Sequence, residues 1–222
     1  MKAVKLKAFQ EHASYRTPYS FENIETYPLP PYSSVLGMVH NVLRARETIG
    51  GIFISVQGKF GGIIRNYSRY WKYSKKGVKP YPIIVSELHD VELVIHISSK
   101  DEALLESIRR GLMDPPTFLY LGRPEDFLYV ESVSMVQVKE VPEGEVDMKM
   151  DAYVPVDMVE ELALEGVFYR VEEYYSKRKF GKQMRREFER IPVYYVQGGE
   201  EVAGHLWLDE EGYPVWWSRR PL

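Results

Sequence analysis

Hydrophobic and polar residues alternate over positions 4–9, with Val4, Leu6 and Ala8 on one side and Lys5, Lys7 and Phe9 on the other. That period of two predicts a half-buried β-strand. A polar, tyrosine-rich segment follows to Leu29, and Pro30-Pro31-Tyr32-Ser33-Ser34 then opens a helix. Ser33 is read as its N-cap, and Val35, Met38, Val39 and Val42 recur at helical spacing. The opposite helix face carries Gly37, His40, Asn41 and Arg44. Gly50-Gly51 is read as the stop, and 52–56 (Ile-Phe-Ile-Ser-Val) as a short apolar strand. From Ile83 a strand is expected to reach a turn near His89-Asp90. Val91, Leu93, Ile95 and Ile97 then alternate with Glu92, Val94, His96 and Ser98 in a further strand. Ser99-x-x-Glu102 reads as a capping box for a second helix, with Leu104, Leu105 and Ile108 inside and Gly111 as its stop. More strand is expected between 118 and 141.

The order strand, helix, strand, arm, strand, helix, strand predicts an α+β protein. Its first part, residues 1–141, reads as a ferredoxin-like domain of the RAMP or RRM kind, with a basic β-hairpin arm inserted at about 58–82. After an acidic linker from Pro142 to about Asp151, short strands at 152–158, 166–175, 191–197, 202–208 and 213–217 predict a small β-rich unit over 142–222. No internal repeat or low-complexity tract is visible.

Composition narrows the chemistry. The 222 residues are 45% hydrophobic and 14% aromatic, enough for a real core. The absence of cysteine removes disulfides, thiolate zinc sites, iron–sulfur clusters and thiol nucleophiles. The start, MKAVKLKAFQ, lacks the apolar run of a signal peptide. The longest uncharged stretch, Thr26 to Leu43, holds three prolines and cannot span a membrane. A soluble, cytoplasmic protein is expected.

The net charge of −3 conceals an asymmetry. Residues 1–86 carry 13 basic and 4 acidic side chains; residues 87–222 carry 16 and 28. Between Glu47 and Glu87 there is no acid, while Lys59, Arg65, Arg69, Lys72, Lys75, Lys76 and Lys79 interleave with Phe60, Tyr67, Tyr70, Trp71, Tyr73 and Tyr81. Aromatics that can stack bases among cations that can track phosphates suit single-stranded nucleic acid. The bland alternative is a solubilising hairpin, but an ordinary surface mixes signs. The turn 58-GKFGG-62 would allow close backbone approach to phosphate, without Walker or Rossmann spacing. A second basic cluster, Lys177, Arg178, Lys179, Lys182, Arg185, Arg186 and Arg190, reads equally as a solvated flexible loop or as a nucleic-acid contact. The acidic stretch 140–173 shows no metal-ligand spacing, so no metal and no cofactor is assigned. Of the five histidines, His12, His89, His96 and His205 read as structural or surface residues. His40 is the exception, because it shares a helix face with Asn41 and Arg44.

The segment Thr26-Tyr27-Pro28-Leu29-Pro30-Pro31-Tyr32-Ser33-Ser34-Val35-Leu36-Gly37-Met38-Val39-His40-Asn41 resembles the first-helix signature of the Cas-five family of CRISPR-associated RAMP proteins. Leu121-Gly122-Arg123-Pro124-Glu125-Asp126-Phe127 resembles its second signature, and the likeness is closest to the type I-B branch. It covers about residues 1–140 well and the tail in outline. The resemblance implies a non-catalytic subunit of Cascade, the RNA-guided antiviral surveillance complex. Such a subunit holds the 5′ handle of the CRISPR RNA and caps the backbone filament. Its partners would be that RNA, the backbone subunit and the large subunit, with target DNA met indirectly and no membrane. The RNA-binding candidates are Ser33, Ser34, His40, Asn41 and Arg44 at the first helix, and Lys59, Arg65, Arg69, Trp71 and Lys72 at the arm. Arg123 could contact phosphate, or equally pair with Glu125 or Asp126 to hold its turn. The alternative is a metal-independent endoribonuclease like the type I-C branch, whose Tyr, Lys and His cannot be placed here; no Lys-His dipeptide occurs.

Overall fold

The computed structural model describes residues 1–20, 23–181 and 183–219. Lys182 of the second basic cluster lies outside them. The first strand, β1 (Lys2–Ala13), is followed by short pieces β2 (Tyr15–Arg16), β3 (Asn23–Ile24) and β4 (Thr26–Tyr27), and then by helix α1 (Tyr32–Val42). Next come β5 (Ile52–Lys59), β6 (Gly62–Ser74), β7 (Gly77–Ser99), α2 (Glu102–Met113) and β8 (Tyr129–Gln137). The rest of the chain forms β9 (Lys139–Asp147), β10 (Asp151–Pro155), α3 (Val156–Leu162), β11 (Val167–Phe180), β12 (Gln183–Val196) and β13 (Glu201–Leu208).

The main sheet runs β11-β12-β10-β5-β7-β1-β8. β6 and β3 also pair with β7, β3 in parallel. β1 sits between β7 and β8, with Leu6 opposite Ile95 and Val133. One sheet face buries Val4, Leu6, Ile54, Val56, Leu93 and Ile95 against Val35, Val39 and Val42 of α1 and Leu105, Ile108 and Leu112 of α2. Apolar residues at i, i+3 and i+4 on each helix make this possible, and each fully buried aliphatic side chain stabilises the fold by about 1.5–3 kcal/mol.

The other face of the sheet is covered as well, so β1 is not half-buried. The C-terminal segment crosses it: Trp216 N–H donates to Ser55 Oγ at 2.9 Å, and Gln57 donates to the Pro214 carbonyl at 2.6 Å. There Lys5, 1% exposed, meets Asp209 at 2.5 Å, and Asp209 also takes His96 Nε2 at 3.0 Å. Beside this segment β9 pairs with β13 in a small sheet of its own.

Several local expectations are revised. Pro31, not Ser33, caps α1, and no side chain completes the cap. The second helix is capped by Asp101, whose Oδ1 accepts the Ala103 and Leu104 N–H groups; Ser99 Oγ accepts the Asp101 N–H instead. Gly111 does not stop α2 but sits inside it, where a Cβ would meet Val42 of α1 at 3.0–3.2 Å. The glycine is there for helix–helix approach. β7 runs unbroken through His89-Asp90, Asp90 taking a left-handed φ of 53° in place of a turn. Residues 156–162 are helical, and 213–217 contribute only the bridge from Leu208 to Pro214. A boundary at 141/142 falls inside β9, and β10, β12 and β11 extend the sheet begun by β1, through the pairing of Ala152 with Gln57. Residues 177–180 and 183–190 are strand and not loop. They form the distal part of an antiparallel hairpin paired from Val167↔Tyr195 to Phe180↔Gln183.

Candidate nucleic-acid interface

Two hairpins and one helix face carry the basic and aromatic side chains. The first hairpin is β6–β7, paired from Gly62↔His89 to Ser74↔Gly77. Every residue of β6 from Ile63 to Ser74 is exposed, because this part of the strand lies on no core. Strand alternation puts Arg65, Tyr67, Arg69, Trp71 and Tyr73 on one face, and Asn66, Tyr70 and Lys72 on the other. Lys72 stands directly opposite Lys79, and Tyr70 opposite Tyr81. Tyr67 is 74% exposed, Tyr73 77% and Trp71 48%. Rings left in water cost hydrophobic free energy that burial would recover, so this face is suited to being covered by flat, partly apolar groups. Lys59 belongs to the arm's base, not its tip. It pairs with Glu92 at 3.0 Å at the end of β5. Gly58, before it, is packed against β7, where a Cβ would lie 2.5 Å from the Glu92 carbonyl oxygen. Its bareness serves strand pairing and not an approach to phosphate.

Helix α1 presents Ser33, Ser34, Gly37, His40, Asn41 and Arg44 along its outward side. Gly37 is exposed, with open space where a Cβ would stand. Three contiguous depressions meet there. One, of about 500 Å³, lies between the helix and the second hairpin, with Tyr174, Tyr175, Arg186 and Phe188 as its far wall. The others lie towards Pro116, Thr117 and Tyr120. Asn41 donates to Thr117 Oγ1 at 3.1 Å, joining the helix to that loop. His40 is committed to the helix's exit: its Nε2 accepts the Ile49 N–H at 2.9 Å, and its carbonyl accepts the Ala45 N–H at 2.9 Å. Desolvation by burial lowers its pKa below the ordinary histidine value, so the ring is neutral at pH 7. Arg44 ends the helix with a φ of 50° and is exposed.

Arg123 faces inward to acids. Its Nη2 reaches Asp126 at 2.7 Å and its Nη1 reaches Glu87 at 2.6 Å, while Glu125 lies 3.5 Å from its Nε. Burial works against its charge, but the bonds to Asp126 and Glu87 outweigh that and hold the guanidinium protonated. Asp126 in turn accepts the Ser14 and Arg123 N–H groups at 2.9 and 2.8 Å. These bonds make Arg123 the clamp of its own turn and tie that turn to the base of the arm.

The structure therefore gathers Ser33, Ser34, His40, Asn41 and Arg44 on one face, and Arg65, Arg69, Trp71 and Lys72 on one arm. Among the described residues no hydrogen bond or ion pair joins the two groups. Sequence reasoning named Arg186 only as one of the second basic cluster and missed Tyr174, Tyr175 and Phe188, which complete the wall. The basic cluster was the only signal for it, and the pairing that aims it at α1 is non-local. Among the described residues no group of three or more His, Asp or Glu is arranged to hold a metal ion, and no helix is long and apolar enough to cross a membrane.

This α+β arrangement is the fold of RAMP proteins. A chain of a CRISPR RNA-guided surveillance complex superposes with a TM-score of 0.57 at 15% identity, over 89% of this chain and 91% of that one. A CRISPR protein from Archaeoglobus fulgidus gives 0.50 at 13% identity over the whole of both chains. A chain of a type III-B Cmr-beta complex, solved with cognate target RNA, gives 0.50 at 12% identity over 90% and 86%. Residues 3–197 match the family described as CRISPR-associated protein (Cas_Cas5), and the chain belongs to that family of CRISPR-associated RAMP proteins. No curated protein matches the sequence.

Proposed function

We propose that this chain is a non-catalytic RNA-binding subunit of a type I Cascade complex, holding the 5′ handle of the CRISPR RNA and capping the backbone filament. The reading treats β1, α1, β5, β7, α2 and β8 as a ferredoxin-like half, supported by the sheet order β5-β7-β1-β8. The observation that carries it is the β6–β7 arm, where Arg65, Arg69 and Lys72 alternate with exposed Tyr67, Tyr70, Trp71 and Tyr73 on a strand without a single acid. Phosphates would lie along the cations and unpaired bases on the rings, giving recognition by shape and stacking. Guide pairing would then supply the specificity for DNA. Ser33, Ser34, Asn41 and Arg44 offer hydroxyl, amide and guanidinium donors on a helix face whose Gly37 permits close backbone approach. The backbone and large subunits remain the proposed protein partners.

An endoribonuclease would need a base for the 2′-hydroxyl proton and an acid for the leaving 5′-oxygen at one phosphate. His40 Nε2 is already occupied by the Ile49 N–H, which favours the scaffold reading. The test is incubation of the purified chain with repeat RNA in EDTA: binding without cleavage is expected. Metal-free cleavage, blocked by a single 2′-deoxy substitution and lost in His40→Ala, would overturn the scaffold reading.

A further inference from the structure

The hairpin β11–β12 sorts its charges by face. Met184, Arg186, Phe188 and Arg190 stand opposite Lys179, Lys177, Tyr175 and Glu172, so these eight side chains share one side of the pleat. Arg185 and Glu187 stand opposite Arg178 and Ser176 on the other side, which Glu189 shares. The acids of that other side are already engaged: Glu187 pairs with Arg178 at 3.1 Å and Glu189 with Arg219 at 2.6 Å. On the first side, the acid Glu172 is buried and lies 3.3 Å from Arg190. Among the described residues Lys177, Lys179 and Arg186 have no carboxylate partner, and all three are exposed. The Arg186 guanidinium lies over the Tyr175 ring, 4.7 Å from its centroid, and Tyr175 meets Phe188 with centroids 5.7 Å apart. This is a preassembled cation–aromatic step, not a solvated charge run.

The same residues form the wall of the 500 Å³ cleft whose floor is the outward face of α1. Opposite them stand Ser33, Ser34 and the bare Gly37; the acids of that cleft are Glu47 at the rim and Glu173, which is buried and bonded to Ser218 and Arg219. The volume is in the range that holds a small organic ligand of nucleotide size.

We propose that this cleft is a second single-stranded RNA site, separate from the β6–β7 arm. One unpaired base lies against Phe188 and Tyr175, its phosphate sits at Arg186, and the strand continues along Lys177 and Lys179 toward the hairpin tip. The choice of RNA rests on the scaffold reading above, but none of these hairpin residues belongs to the arm.

The test uses the full-length chain and a fluorescein-labelled oligouridylate, with affinity measured across a potassium chloride series. Lys177→Gln with Arg186→Gln removes two phosphate contacts and should flatten the slope of log K against log salt by about 1.4. Phe188→Leu should weaken binding about 5- to 150-fold and leave the slope unchanged. Lys177→Glu with Lys179→Glu, at two exposed positions, serves as a variant that leaves the ring stack untouched and should weaken binding further. Melting curves accompany each variant. If all three hairpin variants bind as the wild type does while arm variants lose affinity, the hairpin is no RNA site and its charges meet an acidic protein instead. If the wild type binds no single-stranded RNA at all, the scaffold reading fails, and this site fails with it.

Discussion

Ile49 N–H donates to His40 Nε2 at 2.9 Å, so the imidazole closes the loop that follows α1. The bond requires a neutral ring with its proton on Nδ1, and desolvation lowers the His40 pKa in keeping with that. The unfolded chain therefore takes up a second ring proton, at Nε2, more readily than the folded one. The contribution is complete above the unfolded pKa of about 6.5 and is lost as pH falls through the lowered folded value. His40→Ala should cost about 1 kcal/mol at pH 8. The gap between wild type and variant should close on acidification. Denaturation measured for both proteins across pH 8 to 5 checks this, and taking the difference cancels His96. Being neutral, His40 should not enter the salt dependence of RNA binding.

Lys5 and Asp209 form a buried pair contributed by opposite ends of the chain. Burial alone would raise the Asp209 carboxyl, but the bonds from His96 and Lys5 outweigh it and hold it well below the usual range. Asp209→Asn would leave the Lys5 ammonium, 1% exposed, without its closest counter-charge. A loss of about 3–5 kcal/mol in urea unfolding is expected. Lys5→Met combined with Asp209→Asn removes the stranded charge while keeping an acceptor for the Glu211 and Tyr213 N–H groups, and should recover part of the loss.

Arg123→Ala should act on stability and not on RNA. It strands Asp126, whose side chain is fully buried, and a loss of about 2 kcal/mol is expected. The salt slope should stay that of the wild type; a slope flattened by about 0.7 would place the guanidinium on a phosphate instead.

Trp71 stands opposite Pro80 at an exposed position of the arm, away from the core. Trp71→Ala should therefore leave the melting temperature within a degree or two and weaken binding by roughly 1–3 kcal/mol. A large drop in melting temperature with unchanged affinity would give the ring a structural role.

Gly37→Ala tests the helix face. With open space around a new Cβ, the substitution should stabilise α1 by about 0.5–1 kcal/mol. The same methyl would stand between backbone and RNA, so affinity should fall while stability rises.

The order β1, α1, β5, β7, α2, β8 was legible because β1 and β7 carry apolar residues at a period of two, β5 is a short apolar run and the helices carry theirs at three to four. The outward face of α1 was legible because 37, 40, 41 and 44 fall opposite the apolar stripe; Ser33 joins them only because Pro31 takes the cap. The length of β11–β12 was not. Its distal residues bury nothing, so residues 177–180 and 183–186 lack the apolar alternation that marks a strand, and only the cross-strand pairing reveals them as one. Lys5 looked solvent-facing because its partner Asp209 lies 204 positions away. Gly111 looked like a stop because its reason, the approach of Val42, belongs to another helix. The wall of the cleft was hidden by the same non-locality.

The central claim is that the β6–β7 arm holds RNA phosphates, and the salt dependence of binding to single-stranded repeat RNA tests it most directly. With about five phosphate contacts, the wild type should give a slope near −3.5 for log K against log salt. Arg65→Gln, Arg69→Gln and Lys72→Gln together should bring it to about −1.4 with the melting curve unchanged. A triple variant that folds normally and keeps the wild-type slope would contradict the account.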